Sequence, residues 1–95
     1  MTAVMRVGRR RRTPRLDIAW YPNDTGHPRL GVIVARFGGT AVRRNLLRRR
    51  LREIARRRIL PRLAAVDVVV KSRAPAYEAD LETLAKDLEQ WLSAL

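Results

Sequence analysis

Arg44, Arg48 and Arg52 stand four residues apart, a spacing that an α-helix converts into a vertical ladder on one face. Asn45, Arg49 and Arg56 fall beside that ladder. A surface of guanidinium groups and one amide has the chemistry of phosphate binding, because each guanidinium presents a planar fork of donors to two anion oxygens. Like charges one turn apart repel by about a few tenths of a kcal/mol per pair in an isolated helix. A chain folding alone gains nothing from stacking them, and a polyanion relieves the repulsion. Val42, Leu47, Leu51, Ile54 and Ala55 recur at the spacing of an apolar stripe, which predicts an amphipathic helix starting near Ala41 and stopping at Pro61.

Residues suited to bond-breaking chemistry are scattered by contrast. A two-metal nuclease needs clustered carboxylates, whereas Asp17, Asp24, Glu53 and Asp67 fall on different predicted elements. His27, between Gly26 and Pro28, reads as a surface residue of a turn, and Glu53, one turn from Arg49 and Arg57, reads as a local ion-pair partner. Gly38 and Gly39 lack the spacing of either phosphate-cradling glycine fingerprint. No catalytic residue and no metal ligand are expected in the chain.

Composition points the same way. The 95 residues carry 21 Lys+Arg against 9 Asp+Glu, a net charge of +12. Only Lys71 and Lys86 are lysines, and guanidinium suits RNA better than a point charge does. Residues 1–73 hold 20 basic and 4 acidic side chains, whereas residues 74–95 hold Lys86 against five acids, so the tail either faces away from the anion or shields the protein from itself. The length suits one domain with a modest core. Absence of cysteine excludes disulfides and thiolate chemistry, and no apolar run approaches a membrane span or a signal-peptide core. A cytoplasmic protein is expected, organised as a flexible basic arm over residues 1–14 followed by a single RNA-binding domain over residues 15–95.

The elements that must position the basic helix emerge from periodicity. Leu16, Ile18 and Trp20 alternate with Asp17, Ala19 and Tyr21 in a half-buried strand that stops at Pro22. After a turn over residues 23–28, residues 30–35 form a second, more apolar strand, for which antiparallel pairing with the first through the short loop is expected. Residues 9–12 belong to the arm or to a frayed strand. Val66, Val68, Val69 and Val70 make a third strand, predicted to be central, covered on both faces, and parallel to the strand before the basic helix. Tyr77, Leu81, Leu84, Ala85, Leu88, Trp91, Leu92 and Leu95 form the stripe of a closing helix. The order β-β-α-β-α describes a small α+β two-layer sandwich.

The run Arg36-Phe37-Gly38-Gly39-Thr40-Ala41-Val42-Arg43-Arg44-Asn45, continued by Arg48, Arg49 and Arg52, resembles the signature of the bacterial ribonuclease P protein subunit. Asp67-Val68-Val69-Val70 and Arg73-Ala74-Pro75 resemble the strand and turn that come after it, and the likeness covers roughly residues 15–95. The resemblance implies an accessory protein that binds ribonuclease P RNA and the 5′ leader of precursor tRNA, while the RNA, using magnesium, performs the cleavage. No cofactor on the protein, no protein partner and no membrane partner are implied. It also implies a fold like the second domain of ribosomal protein S5, with a left-handed parallel crossover around the basic helix, where physical chemistry alone expects a right-handed one.

Carried across, Arg44 and Asn45 match the first two residues of the family's Arg-Asn-Arg motif, Arg48, Arg49 and Arg52 its downstream basic positions, and Arg36 the first of a basic pair before the loop. Leu46 stands where the motif's second arginine belongs and Phe37 at the second position of the basic pair, with Arg43 and Arg50 as neighbouring substitutes. The family also opens with a helix of roughly 20 residues that lends aromatic side chains to the leader cleft, and this chain is expected to begin after it. Trp20, Tyr21 and Phe37 are the remaining candidates for stacking on leader bases; the alternatives are core for Trp20 and plain strand surface for Tyr21. Tyr77 and Trp91 are expected in the core.

The basic helix also suits a general RNA-binding or ribosome-associated protein with no role in cleavage. DNA reading is disfavoured because nine arginines between residues 43 and 58 are too uniform for base recognition. A membrane-surface helix would not need two apolar strands beside it.

Overall fold

The computed structural model describes residues 8–36 and 40–95. Four strands, β1 (Arg9–Arg12), β2 (Leu16–Pro22), β3 (Arg29–Ile33) and β4 (Val66–Ser72), combine with two α-helices, α1 (Ala41–Ile54) and α2 (Leu81–Ser93). A π-helical turn (Ala55–Ile59) and a 3-10 turn (Leu60–Arg62) prolong α1, and another 3-10 turn (Ala74–Glu78) leads into α2. The α+β class is as expected, with one strand more.

The sheet order is β1-β2-β4-β3, with β1 and β2 antiparallel, β2 and β4 antiparallel, and β3 and β4 parallel. The strand-helix-strand unit around α1 is therefore parallel, as expected. The antiparallel pairing expected between the strands at residues 16–21 and 30–35 is corrected: β4 lies between them. Its valines are apolar on both faces, so it gains most from the central position. The turn over residues 23–28 spans the two inter-strand gaps, about 10 Å in all.

That turn is built on Asn23. Its side-chain amide donates to the His27 carbonyl at 3.2 Å and to Asp67 Oδ1 at 2.9 Å, while its oxygen accepts from the Thr25 amide and hydroxyl. Gly26 takes φ +85°, which an L side chain rarely adopts. His27 is exposed in this turn, as its neighbours foretold. Arg29 clasps Asp67 through Nε and Nη2 at 2.7 Å each, and this bond holds the Asp67 carboxyl below its usual range.

Both helices pack on one face of the sheet. Leu16 and Ile18 of β2, with Val66, Val68 and Val70 of β4, meet Leu47, Leu51 and Ile54 of α1 and Leu84, Leu88 and Trp91 of α2. On the other face the buried pair is Ala19 and Val69, and no described helix packs there, while Tyr21 and Ile33 are exposed. Cover on both sides of β4 is thus corrected to helices on one side among the described residues. Small side chains at Ala19 and Gly31, flanking Val69 in the register, leave that second face shallow.

The N-terminal segment also differs from expectation. Arg9–Arg12 is an edge strand in register with Trp20 to Asp17, so a flexible arm reaching to residue 14 gives way to the strand alternative. Thr13 closes the turn: its hydroxyl accepts from the Leu16 amide at 2.9 Å and its own amide donates to the Leu16 carbonyl at 2.7 Å. Arg73 donates to the Thr13 carbonyl and ties this turn to the end of β4. Expectations about Phe37, Gly38, Gly39 and the segment before Gly8 lie outside the described residues.

Trp91, 1% exposed, meets Trp20 edge-to-face at 5.5 Å and joins α2 to β2. Trp91→Ala is expected to destabilise the fold by about 3–5 kcal/mol, checked as a fall in the denaturant midpoint at unchanged slope.

Candidate nucleic-acid interface

Thr40 caps α1, its hydroxyl accepting from the Arg43 amide at 3.2 Å while its carbonyl accepts from the Arg44 amide at 2.9 Å. Leu47, Leu51 and Ile54 then turn to the core, which forces the opposite side of the helix outward. An open groove of about 360 Å³ runs along that side, lined by Asn45, Arg48, Arg49, Arg52, Glu53 and Arg56. Arg48 donates to Asn45 Oδ1 at 3.0 Å, so the amide orients the guanidinium while its own donors stay available.

Five sequence-predicted residues, Asn45, Arg48, Arg49, Arg52 and Arg56, meet in this groove. Arg44 is half-buried and makes contacts within the protein, and Arg36 is exposed just beyond β3. Arg43 lies on the other flank of α1, donating to Glu78 at 3.0 Å with its guanidinium 5.3 Å from the Tyr77 ring centroid. Val42, expected in the apolar stripe, is 77% exposed, and Leu46 is 41% exposed one turn on. The other four residues of the stripe, Leu47, Leu51, Ile54 and Ala55, are buried.

Glu53 pairs with Arg57, as its spacing foretold, and its second partner is Arg56, at 3.0 Å, in place of Arg49. The hydrogen bond from Arg56, followed by the nearby positive charges, lowers the Glu53 pKa. A carboxylate thus sits inside the groove and holds guanidiniums that a phosphate would otherwise engage. No feature of the sequence distinguished it from a plain surface pair, since its place in the groove depends on the whole helix.

Arg36 is positioned from behind. The Ala35 amide donates to the buried Ser72 hydroxyl at 3.0 Å, and the Ala35 carbonyl accepts from the Tyr77 hydroxyl at 2.7 Å. Both backbone groups of the residue before Arg36 are therefore fixed. Of the stacking candidates, Trp20 is half-buried with its ring edge-to-face against Trp91, near its core alternative; Tyr21 is exposed on the open face; Phe37 lies outside the described residues. Tyr77 is half-buried against the core and Trp91 within it.

A capped basic helix packed on a four-stranded sheet, with Asn45, Arg48, Arg49, Arg52 and Arg56 lining one open groove, defines a small α+β domain that presents a phosphate-binding chemistry on its surface. The sequence model of the ribonuclease P family matches residues 2–95, and the chain belongs to that family. It is 41% identical over 65 residues to the ribonuclease P protein component of Kocuria rhizophila, covering 67% of this chain and 58% of that protein. With the component from Xanthomonas euvesicatoria it shares 43% identity over 79 residues, covering 82% and 53%. The chain spans a little over half the length of these curated relatives. The ribonuclease P protein from Thermotoga maritima superimposes with a TM-score of 0.87 at 28% identity, covering 99% of this chain and 89% of that one. That from Staphylococcus aureus gives 0.87 at 26% identity, covering 98% and 85%. Among the described residues no helix is long and apolar enough to cross a membrane.

Glu53→Gln is expected to free Arg56 and Arg57 and tighten binding to a structured RNA about two- to five-fold, with a steeper salt dependence. Titration of the variant and the parent protein at several salt concentrations measures both.

Proposed function

We propose that this protein is the protein subunit of ribonuclease P. It binds the catalytic RNA through the α1 groove and assists removal of the 5′ leader of precursor tRNA in the cytoplasm. The observation that carries the reading is the gathering of Asn45, Arg48, Arg49, Arg52 and Arg56 in one groove in a member of this family. Arginine forks bind the RNA backbone and neutralise phosphates that must approach one another in a folded catalyst.

Cleavage belongs to the RNA and its magnesium. The protein's part is electrostatic and positional: seven of its carboxylates pair with arginines and an eighth, Asp80, caps α2. The open face of the sheet, with Tyr21 exposed on it, is the surface assigned to the single-stranded leader, where an aromatic ring stacks on bases of any identity. Arg36, on the strand end between that face and α1, joins the two surfaces.

The test is precursor-tRNA cleavage by a bacterial ribonuclease P RNA at low magnesium, with and without this protein, on substrates with long and with absent leaders. Stimulation that depends on the leader is expected. Retained RNA binding without stimulation would replace this reading by that of a general RNA-binding protein.

Arg48→Gln with Arg52→Gln is expected to leave the fold intact and to weaken RNA binding. The slope of log affinity against log salt should fall by about 0.7–0.9 for each phosphate no longer neutralised. Wild-type stimulation at limiting protein would remove these residues from the site.

A further inference from the structure

Ion pairing divides the arginines into two populations. Arg15 pairs with Asp87, Arg29 with Asp67, Arg43 with Glu78, and Arg58 with both Glu82 and Glu89. These pairs are internal to the fold. In the α1 groove Glu53 holds Arg56 and Arg57, while Arg48, Arg49 and Arg52 have no ion pair among the described residues; the other surface where arginines outnumber nearby carboxylates is the edge strand β1.

In β1 the four consecutive arginines are all exposed. Arg9 and Arg11 lie opposite Trp20 and Ile18, on the side of the sheet that bears the helices, and Arg10 and Arg12 lie opposite Ala19 and Asp17, on the open side. Asp17 is the one carboxylate near the strand, 3.9 Å from Arg10 and 3.7 Å from Arg12, beyond hydrogen-bond range. Arg9 and Arg11 have no ion pair among the described residues, and residues 1–7 and 37–39 contain no acid. A charged edge strand discourages sheet-to-sheet pairing, yet one or two charges suffice for that, and four in succession add repulsion on both faces.

We propose that β1 is a second RNA-backbone contact, holding a segment of a folded RNA separate from the one in the α1 groove; the identity of that RNA rests on the ribonuclease P reading above. The two surfaces stand at opposite edges of the fold. β1 packs on β2, whereas α1 packs beside β3 and α2. Between them on the helix side lies α2, which reaches β2 through Trp91 and Arg15 through Asp87 and exposes Glu82. A single extended strand joining the two surfaces on that side would cross carboxylates. Two segments of one folded RNA avoid them, and the molecule, 37 × 25 × 20 Å, is small enough for neighbouring segments to grip both edges.

The test measures affinity of the full chain for a bacterial ribonuclease P RNA transcript, and for an unstructured oligoadenylate strand, across a salt series. Arg9→Gln with Arg11→Gln is expected to weaken transcript binding and to lower the salt slope by about 0.7–0.9 per phosphate released. Arg9→Lys with Arg11→Lys should keep the slope, and unchanged thermal melting of both variants shows that the sheet is intact. Combined with Arg48→Gln and Arg52→Gln, the losses should add, because the sites share no partner. Wild-type affinity and slope in the Arg9/Arg11 glutamine variant, with the Arg48/Arg52 variant weakened, would overturn the second contact and leave the subunit reading standing. No effect of either pair would remove both. An equal loss on oligoadenylate would also overturn the proposal, since the edge would then belong to one continuous track.

Discussion

Arg58 reaches two carboxylates of α2 at once, Glu82 at 2.8 Å and Glu89 at 3.4 Å, and much of the structure depends on what that clasp achieves. A helix with six arginines in 14 residues cannot be held to a domain by its apolar stripe alone without carrying repulsion around much of its circumference. The acidic face of α2 neutralises one flank. Arg43 joins Glu78 and Arg50 donates to the Ala79 carbonyl at 3.3 Å, so this flank is stitched from end to end. The Arg58 guanidinium is held above its ordinary pKa by Glu82 first and Glu89 after it, and its hydrogen bond in turn holds the Glu82 carboxyl below its usual range. The concentration of acids in residues 74–95 is therefore the counterweight to one flank, the self-shielding alternative read from charge distribution, while on the opposite flank Glu53 pairs with Arg56 and Arg57.

A second constraint is the central position of β4. It pairs with β2 on one side and β3 on the other, and it ends at Ser72, whose buried hydroxyl receives the Ala35 amide. Tyr77, just past the strand, takes the Ala35 carbonyl and lies under Arg43. One short stretch of chain thus fixes the exit of β3 and the first turn of α1. The basic groove inherits its orientation from the hydrophobic core through these few bonds.

The arginine ladder, the two helices, the parallel unit and the family signature were all legible because they rest on local spacing: 3.6 residues for α1 and α2, two for β2. Strand order was not. The short link between β2 and β3 suggested a hairpin, and only the burial of β4 on both edges decided otherwise. β1 was legible only as an alternative to an arm, for a different reason: alternation cannot show in a run of one residue type, so Arg9–Arg12 has no period to read. Alternation already set Trp20 and Tyr21 on opposite faces, and the pleat carries one into the Trp91 contact and the other to the surface. Val42 shows the limit of a helical wheel, since the stripe needs only the residues that reach the sheet.

The π-helical turn at Ala55–Ile59 has a bearing on how this segment tolerates changes in length. Such a turn accommodates one residue more than an α-helical path requires. Here it allows Ala55 and Ile59 both to be buried while Arg58 swings to α2 and Arg56 stays on the groove. Losing one residue from this stretch would restore an ordinary α-helical path and leave the flanking segments in their present phase, because the turn already holds the residue that would be lost. A deletion within Ala41–Ile54 has no such reserve and would turn the chain beyond it by roughly 100°. The turn is consequently a length buffer between the groove and the clasp on α2: a one-residue change is taken up there without moving either.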